Sequence, residues 1–354
     1  MTIDAISRPK ALREFRLAQQ ALKERRVVEA LGLVNKSASC GYDDDDCAAL
    51  RWHCWMFLGN FGKAWRESEA IISRGNKDAT CLWDGSAFEG KRIVIRCLHG
   101  FGDAVQFIRY GRILRSQAAR IIVETHAELI SLFSGISWID QVVSWADGSS
   151  DGFNDWDQQI EVMELPRAFG TTLLTIPSKV PYLSVTGEAL ARSEYLLGGR
   201  AGEPKIGLVW RAGDWDPARS VPCAQFARIA HVPGLRFYSF QRGPATREGR
   251  TLREDGRIHD TARHSPDISD TAADIVNMDL VITVDTMVAH LAGALGRKVW
   301  TLLPYEADWR WMLDTSSSPW YPTMRLFRQQ RPGDWTSVLQ DVAGSLRAEF
   351  GAGQ

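Results

Sequence analysis

The stretch that most constrains this chain is Leu280–Pro304, LVITVDTMVAHLAGALGRKVWTLLP. It reads as a buried strand, a polar turn, a short helix and a second buried strand. Apolar runs this short, rich in β-branched residues and split by a turn, belong to a parallel sheet whose two faces are both covered. The polar residues gather where the first strand ends: Asp285, Thr286 and, one helical turn on, His290. A strand that feeds a helix through Asp-Thr leaves backbone N–H groups and the positive end of the helix dipole facing one spot, an anion site. In an open α/β sheet that spot lies outside the carboxyl ends of the strands, where ligands bind.

The rest of the chain agrees with an α/β reading. From Lys91 onward strands and helices alternate: strands at Lys91–Arg96, Arg120–Thr125, Ile139–Trp145 and near Gln158–Val162, with helices at Asp103–Ser116 and Ala127–Phe133. A loop-rich stretch, Ala146–Gly170, and a linker, Gly198–Glu203, follow. A second alternating unit begins at Lys205–Trp210. It continues through Leu235–Phe240, Arg257–Thr261 and the central stretch to Met324–Phe327, and closes with an amphipathic helix at Trp335–Phe350. Such alternation implies parallel sheets with helices on both faces. The expected organisation is a helical region over 1–80 and two Rossmann-like domains, 81–200 and 201–354, facing a cleft.

Residues 1–80 read as two helical pairs, Ala11–Arg26 with Val27–Ser37 and Cys47–Leu58 with Gly62–Ser73. Gly59-Asn-Phe-Gly-Lys-Ala64 lies 34 residues after Arg25-Arg-Val-Val-Glu-Ala30, so that Phe61 aligns with Val27 and Ala64 with Ala30. That period resembles tetratricopeptide (TPR) repeats. Either a packing cap or a surface that holds a protein acceptor fits the pattern. The acidic run Asp43–Asp46 precedes a helix and complements its dipole. Cys40, Cys47 and Cys54 fall seven apart, which marks a buried helix face rather than a metal site.

Net charge is −1 over 354 residues, with no basic run beside the central stretch, so nucleic acid is not an expected partner. No apolar segment is long enough to span a membrane, and no signal-peptide pattern is read. Six cysteines without a CxxC pair fit a reducing, cytoplasmic setting.

Two loops carry chemistry. In Cys97-Leu-His-Gly-Phe-Gly-Asp-Ala104, the glycines allow a tight turn and Asp103 sits at the helix start. It either caps that helix or presents an ionised carboxylate to the cleft as a general base. Gly100-x-Gly102 with Glu124 about twenty residues on also partly matches a dinucleotide site, which would make the chain an NAD-dependent oxidoreductase. Val105 replaces the third glycine, and an ionised Asp103 would repel a pyrophosphate. In the second loop, Trp210–Ser220, Arg211 and Arg219 are suited to a phosphate. Gln241 ends the next strand and is expected to face the cleft. Glu306, Asp308, Trp309 and Arg310 follow a later strand; Trp309 either stacks on a base or joins a core.

Together, Asp285-Thr286…His290-Leu-Ala, Gly100-Phe-Gly-Asp103 and Gly207-Leu-Val-Trp210 resemble the heptosyltransferase-like glycosyltransferases (family nine), of GT-B architecture. Cys81-Leu-Trp-Asp-Gly-Ser86, Phe169-Gly-Thr-Thr172, Asp308-Trp-Arg-Trp311 and Ser318-Pro-Trp-Tyr-Pro322 resemble its branch with N-terminal TPR repeats. The resemblance implies a metal-independent, inverting transfer of a heptose or related sugar from a nucleotide diphosphate, ADP among them, to a glycan, lipid-linked or protein acceptor. Beyond the nucleotide sugar as substrate, no cofactor is implied. It makes Asp103 the general base. Donor binding falls to Asp285, Thr286 and His290, with Arg219 near a cationic phosphate ligand and Arg211 and Gln241 beside it. His99, Gln106 and Trp309 are secondary, acceptor-side candidates. The chain departs from that branch at Leu98-His99-Gly100, where many relatives read Glu-Gln-Gly. The alternative is a non-catalytic, nucleotide-binding TPR scaffold.

Overall fold

A computed structural model describes residues 7–75, 79–145, 155–199, 202–213, 216–243, 250, 256–261 and 265–351. Parts of the expected loop 146–170 and linker 198–203 lie outside the described residues. The chain divides into two compact units. One comprises Met1–Cys81, Pro166–Ile176 and Glu306–Trp320; the other comprises Leu82–Leu165, Pro177–Tyr305 and Tyr321–Gln354.

The first unit is built on four helices, α1 (Ser7–Lys23), α2 (Val27–Ser39), α3 (Asp44–Phe57) and α4 (Phe61–Ser73). Asp43 caps α3, its carboxylate accepting from the Asp45 and Asp46 N–H groups at 2.9 Å each. The acidic run therefore satisfies donors that the helix start leaves open. Small residues let the helices close on each other: Ala18, Ala21, Ala30, Cys47 and Cys54 are all fully buried. Cys47 and Cys54 thus share a packed face of α3, whereas Cys40, read with them from the spacing, sits at the end of α2 and is only partly buried. Segments from far along the chain complete this unit. Trp65 Nε1 donates to the Thr171 carbonyl at 2.8 Å. Trp309 packs edge-on against Trp52 and Phe61, and Trp320 stacks on Phe61.

The second unit contains two parallel sheets. β1 (Arg92–Arg96), β2 (Arg120–Thr125), β3 (Gln141–Ser144) and β4 (Gln158–Glu161) form a sheet of order β3-β2-β1-β4. β5 (Lys205–Val209), β6 (Arg236–Ser239), β7 (Ile258–Asp260), β8 (Leu280–Val284), β9 (Val299–Leu303) and β10 (Met324–Arg328) form the other, of order β10-β9-β8-β5-β6-β7. β8 and β9 are buried at every residue, as central parallel strands must be. On one face of that sheet Trp335, Val338, Leu339, Val342 and Leu346 of the C-terminal helix (Trp335–Phe350) join Ile206, Ile282 and Trp300 in one core.

Two details depart from the sequence expectation. The helix read as Asp103–Ser116 is α5, Phe101–Phe107, followed by a tighter turn at Ile108–Tyr110 and a short helical segment at Gly111–Leu114. Side chains explain the change. The Val105 carbonyl accepts from Tyr182 and the Gln106 carbonyl from Arg109, which interrupts the regular ladder. A helix at Gly187–Leu197, α6, is additional to those read from the sequence. Thr186 caps it, and it packs on α7 (Ile268–Val276) and the turn that follows, through Ser193 with Asp274 and Leu190 with Asn277.

Candidate active site

Each sheet has one place where its strand order reverses. In the larger sheet β6 and β7 lie to one side of β5 while β8 to β10 lie to the other; in the smaller, β2 and β3 lie to one side of β1 and β4 to the other. A crevice opens outside the carboxyl ends of strands at such a point. Both loops singled out from the sequence stand there.

At the larger sheet the crevice is a cavity of about 280 Å³. Its walls are the ends of β5 (Val209, Arg211 to Gly213) and β6 (Phe240 to Arg242), Thr271, and the first turn of α8 (Met287–Ala294) with Thr286. Thr286 is the N-cap, but its side chain does not cap the helix. Its hydroxyl turns instead to the Thr283 hydroxyl, 3.1 Å away. The first N–H groups of α8 therefore have no side-chain cap from Thr286, and Met287 and Val288 line the cavity, which suits an anion. Arg219 Nη1 donates to the Asp285 carbonyl at 3.0 Å, which brings a largely buried cation to the same helix start.

Asp285 and His290 are nearly buried, with His290 Nε2 3.9 Å from Asp285 Oδ1. The other ring nitrogen, Nδ1, lies 3.0 Å from the Tyr321 hydroxyl. The edge of the same ring faces α5 of the smaller sheet's lobe. A Cβ at Gly102 would stand 2.9 Å from His290 Cδ2. Gly102 is therefore the residue that lets the start of α5 meet the start of α8. Asp103 follows it directly and is half-buried. Its Oδ2 accepts from the Gly100 N–H at 3.1 Å. Asp103 thus caps its helix, and a carboxylate with two oxygens can do so while serving a second donor.

The sequence-derived candidates do not all gather here. Arg219, Asp285, Thr286 and His290 come together, Arg211 lines the cavity, and Asp103 follows directly on the glycine that meets His290. Gln241 lines the cavity wall with its amide turned to backbone. Its amide is committed to backbone, Oε1 accepting from Arg211 N at 3.0 Å and Nε2 donating to Arg211 O at 3.2 Å. It clamps the β5 loop. Gln106 is fully buried, with neither side-chain polar atom bonded among the described residues, so it is an interior residue rather than an exposed acceptor contact. His99 is exposed, and its carbonyl is held by His126 Nε2 at 2.6 Å. Trp309 belongs to the aromatic cluster of the helical unit.

The dinucleotide reading loses its two supports. Gly102 makes room for His290, and Glu124 is ion-paired with Arg96 on the neighbouring strand. Among the described residues no group of three or more His, Cys, Asp or Glu is placed to hold a metal ion, and no helix is long and apolar enough to cross a membrane.

One carboxylate escaped the sequence reading. Glu161 ends β4, beside the loop that leads to Asp103, and accepts from the Met163 N–H at 2.6 Å. Burial pushes its pKa up to about 8, and the charges of Glu164 and Asp103 push the same way. Its signal in the sequence was position alone, the last residue of a strand next to β1. Arg109, Tyr182 and Tyr321 were missed as well. They lie behind His290, where only the folded chain brings them.

Comparison with known proteins bears on the fold. No family model matches the chain. It is 24% identical over 330 residues to Protein FlbA of Caulobacter vibrioides, an alignment covering 82% of this chain and 53% of that protein. The chain thus spans about half the length of the curated relative it matches. Among solved structures, the ADP-heptose LPS heptosyltransferase II of E. coli aligns with a TM-score of 0.56 at 15% identity, over 73% of this chain and 98% of that one. A glycosyl transferase family 9 protein from Veillonella parvula DSM 2008 aligns with a TM-score of 0.57 at 13% identity, over 75% of this chain and 98% of that one. The lobes built on the two parallel sheets therefore have the GT-B fold of these transferases, and a helical region of four helices accompanies them.

Proposed function

We propose that this chain is an inverting glycosyltransferase that moves a sugar from a nucleotide diphosphate to an acceptor hydroxyl without the help of a metal ion. The observation that carries the reading is the meeting of two helix starts, Asp103 on α5 and the open first turn of α8, across the Gly102–His290 contact. One start supplies a carboxylate and the other an anion cradle, the two groups a single displacement at an anomeric carbon needs.

In this reading the donor diphosphate lies against the N–H groups of Met287 and Val288. Asp103 removes the proton as the acceptor oxygen attacks the anomeric carbon. The bond to the diphosphate breaks on the opposite face, which inverts the configuration. Negative charge grows on the departing phosphate, where the start of α8, Arg219 and Arg211 stabilise it. Asp285 and His290 hold the donor sugar and diphosphate. The cavity at β5 and β6 takes the nucleoside. The E. coli neighbour is described as an ADP-heptose transferase, which makes a heptose or related sugar on ADP the first donor to test. The acceptor is a glycan, a lipid-linked glycan or a protein. The helical unit, read as TPR-like, is assigned to holding it.

A thermal-shift panel of ADP, UDP, GDP and NAD tests donor binding. A ligand that binds only the folded chain raises the melting midpoint, and ADP is expected to do so in EDTA as well as without it. Asp103→Asn keeps an oxygen to accept from Gly100, so it should fold and bind ADP normally. Transfer from an ADP-sugar should fall about 10²–10⁴-fold, the usual effect of losing a general base. Unchanged turnover removes Asp103 from the mechanism. Binding without transfer to any acceptor favours the scaffold.

A further inference from the structure

The carboxyl end of the smaller sheet carries aromatic rings at three strand exits. Phe101 opens α5 after β1, His126 directly follows β2, and Trp145 directly follows β3. Those strands are neighbours in the sheet, so the rings stand in a row. The Phe101 and His126 ring centres are 4.6 Å apart at 80°, and those of His126 and Trp145 are 5.0 Å apart at 68°. Both are edge-to-face contacts, which aromatic quadrupoles favour. The row begins two residues before Asp103 and ends on Trp145, which is 45% exposed. Leu98, in the loop ahead of Phe101, is exposed as well. An isolated exposed apolar residue needs no explanation, but a contiguous group at a ligand crevice does.

Hydrogen bonding orients the middle ring. His126 Nε2 lies 2.6 Å from the His99 carbonyl. A carbonyl only accepts, so Nε2 carries the hydrogen. In the neutral ring Nδ1 is then an acceptor, and no described residue donates to it. Charge narrows the occupant further. Residues 97–104, 126–133 and 145–157, which leave these strands, include no Lys or Arg. A phosphate group or an anionic membrane surface calls for such cations. The row suits a neutral molecule with an apolar face and a hydroxyl rim. A pyranose has both: its axial C–H bonds meet the negative face of an aromatic ring, and its hydroxyls can donate to Nδ1.

We infer that Phe101, His126 and Trp145 form a sugar-binding platform, which makes the acceptor beside Asp103 a glycan. In this site a pyranose ring stacks on Trp145 and one of its hydroxyls donates to His126 Nδ1. Calling that sugar the acceptor rests on the transferase reading. The platform itself does not.

The test follows the indole 1H–15N signal of Trp145 in the whole chain, identified by its loss in Trp145→Phe. The probes are the methyl glycosides of glucose, galactose, mannose and N-acetylglucosamine. Saturable movement of that signal is expected with at least one of them. Saturation-transfer NMR should place the contact on the sugar's C–H face. Trp145→Ala should weaken the glycoside about tenfold, and Trp145→Phe, which keeps an aromatic face, should retain most of the binding. His126→Gln can still donate to the His99 carbonyl but lacks the Nδ1 acceptor, and should weaken it about fivefold, the scale of one neutral hydrogen bond. A Trp145 signal that no glycoside moves, or equal binding by Trp145→Ala, overturns the inference. So does movement with phosphatidylcholine vesicles alone, which would make the row a membrane contact. Calorimetric titration with ADP keeps the two readings apart. A wild type that binds glycoside but no ADP keeps the platform and loses the transferase. One that binds ADP but no glycoside loses the platform and leaves a protein hydroxyl as the acceptor.

Discussion

Glu161 shows how a single residue sets the electrostatics of this site. Its carboxyl is 1% exposed, and a buried carboxylate holds its proton because burial penalises the charged form. With a pKa moved from 4.5 to about 8, it stays mostly protonated, and so uncharged, at neutral pH. The same shift makes stability depend on pH. Between those values the folded chain holds a proton that the unfolded chain has released, so stability falls as pH rises. The contribution is complete below about 4.5 and lost as pH passes about 8. One such group gives a slope of about 1.4 kcal/mol per pH unit inside the window. Glu161→Gln can still accept from Met163 and should flatten that slope. Urea unfolding at pH 5, 6, 7 and 8 measures it, and parallel curves for the two proteins would refute the assignment. Asp103, by contrast, was legible in the sequence because a Gly-x-Gly turn announced it. A lone Glu after Gln-Gln-Ile has no such marker and reads as a solvated charge.

At the level of elements, the site is two helix starts pressed together. Both helices were readable, α8 from its strand-turn-helix pattern and α5 from its glycines. Their meeting was not, because Gly102 and His290 lie far apart in sequence and neither predicts the other. The glycine looked like a turn residue or a phosphate contact, and its role is to make room. Gly102→Ala should consequently be costly only while the imidazole is present. Chemical denaturation of Gly102→Ala, His290→Ala and the double mutant should give a coupling of roughly 1–2 kcal/mol, typical of a small overpacked contact. Additive effects would mean that the ring moves aside without strain. α6 was overlooked for another reason. It lies between a proline-rich stretch and a glycine pair, and its short amphipathic pattern is weak until Asp274 and Asn277 are seen against it.

On the scale of the whole molecule, the helical unit is discontinuous in sequence. Residues 1–81 supply four helices, but Thr171, Trp309 and Trp320 come from two later segments. Each buried aromatic contributes on the order of 1.5–3 kcal/mol, which is large against the net stability of a small helical domain. A fragment of residues 1–81 should therefore be mostly unfolded, or melt broadly, by circular dichroism, whereas the same helices in the full chain melt cooperatively. A sharp transition in the fragment would show that these contacts are dispensable. The motif Asp308-Trp-Arg-Trp311 was read from the sequence as part of a ligand site or a core, and packing decided for the core.

The sequence alone determined what short-range physics controls: alternating strands and helices, the polar turns at their carboxyl ends, the acidic run at the start of a helix, and the pair Asp285-Thr286 ahead of a helix. Each depends on residues a few positions apart, where periodicity and turn chemistry act directly. Only the tertiary structure decided which of those turns face each other, that the Gln241 amide would turn to backbone, and that Arg109, Tyr182 and Tyr321 would line up behind His290. Those outcomes depend on burial and on contacts between distant segments, and a side chain's neighbours in space are not written in its neighbours along the chain.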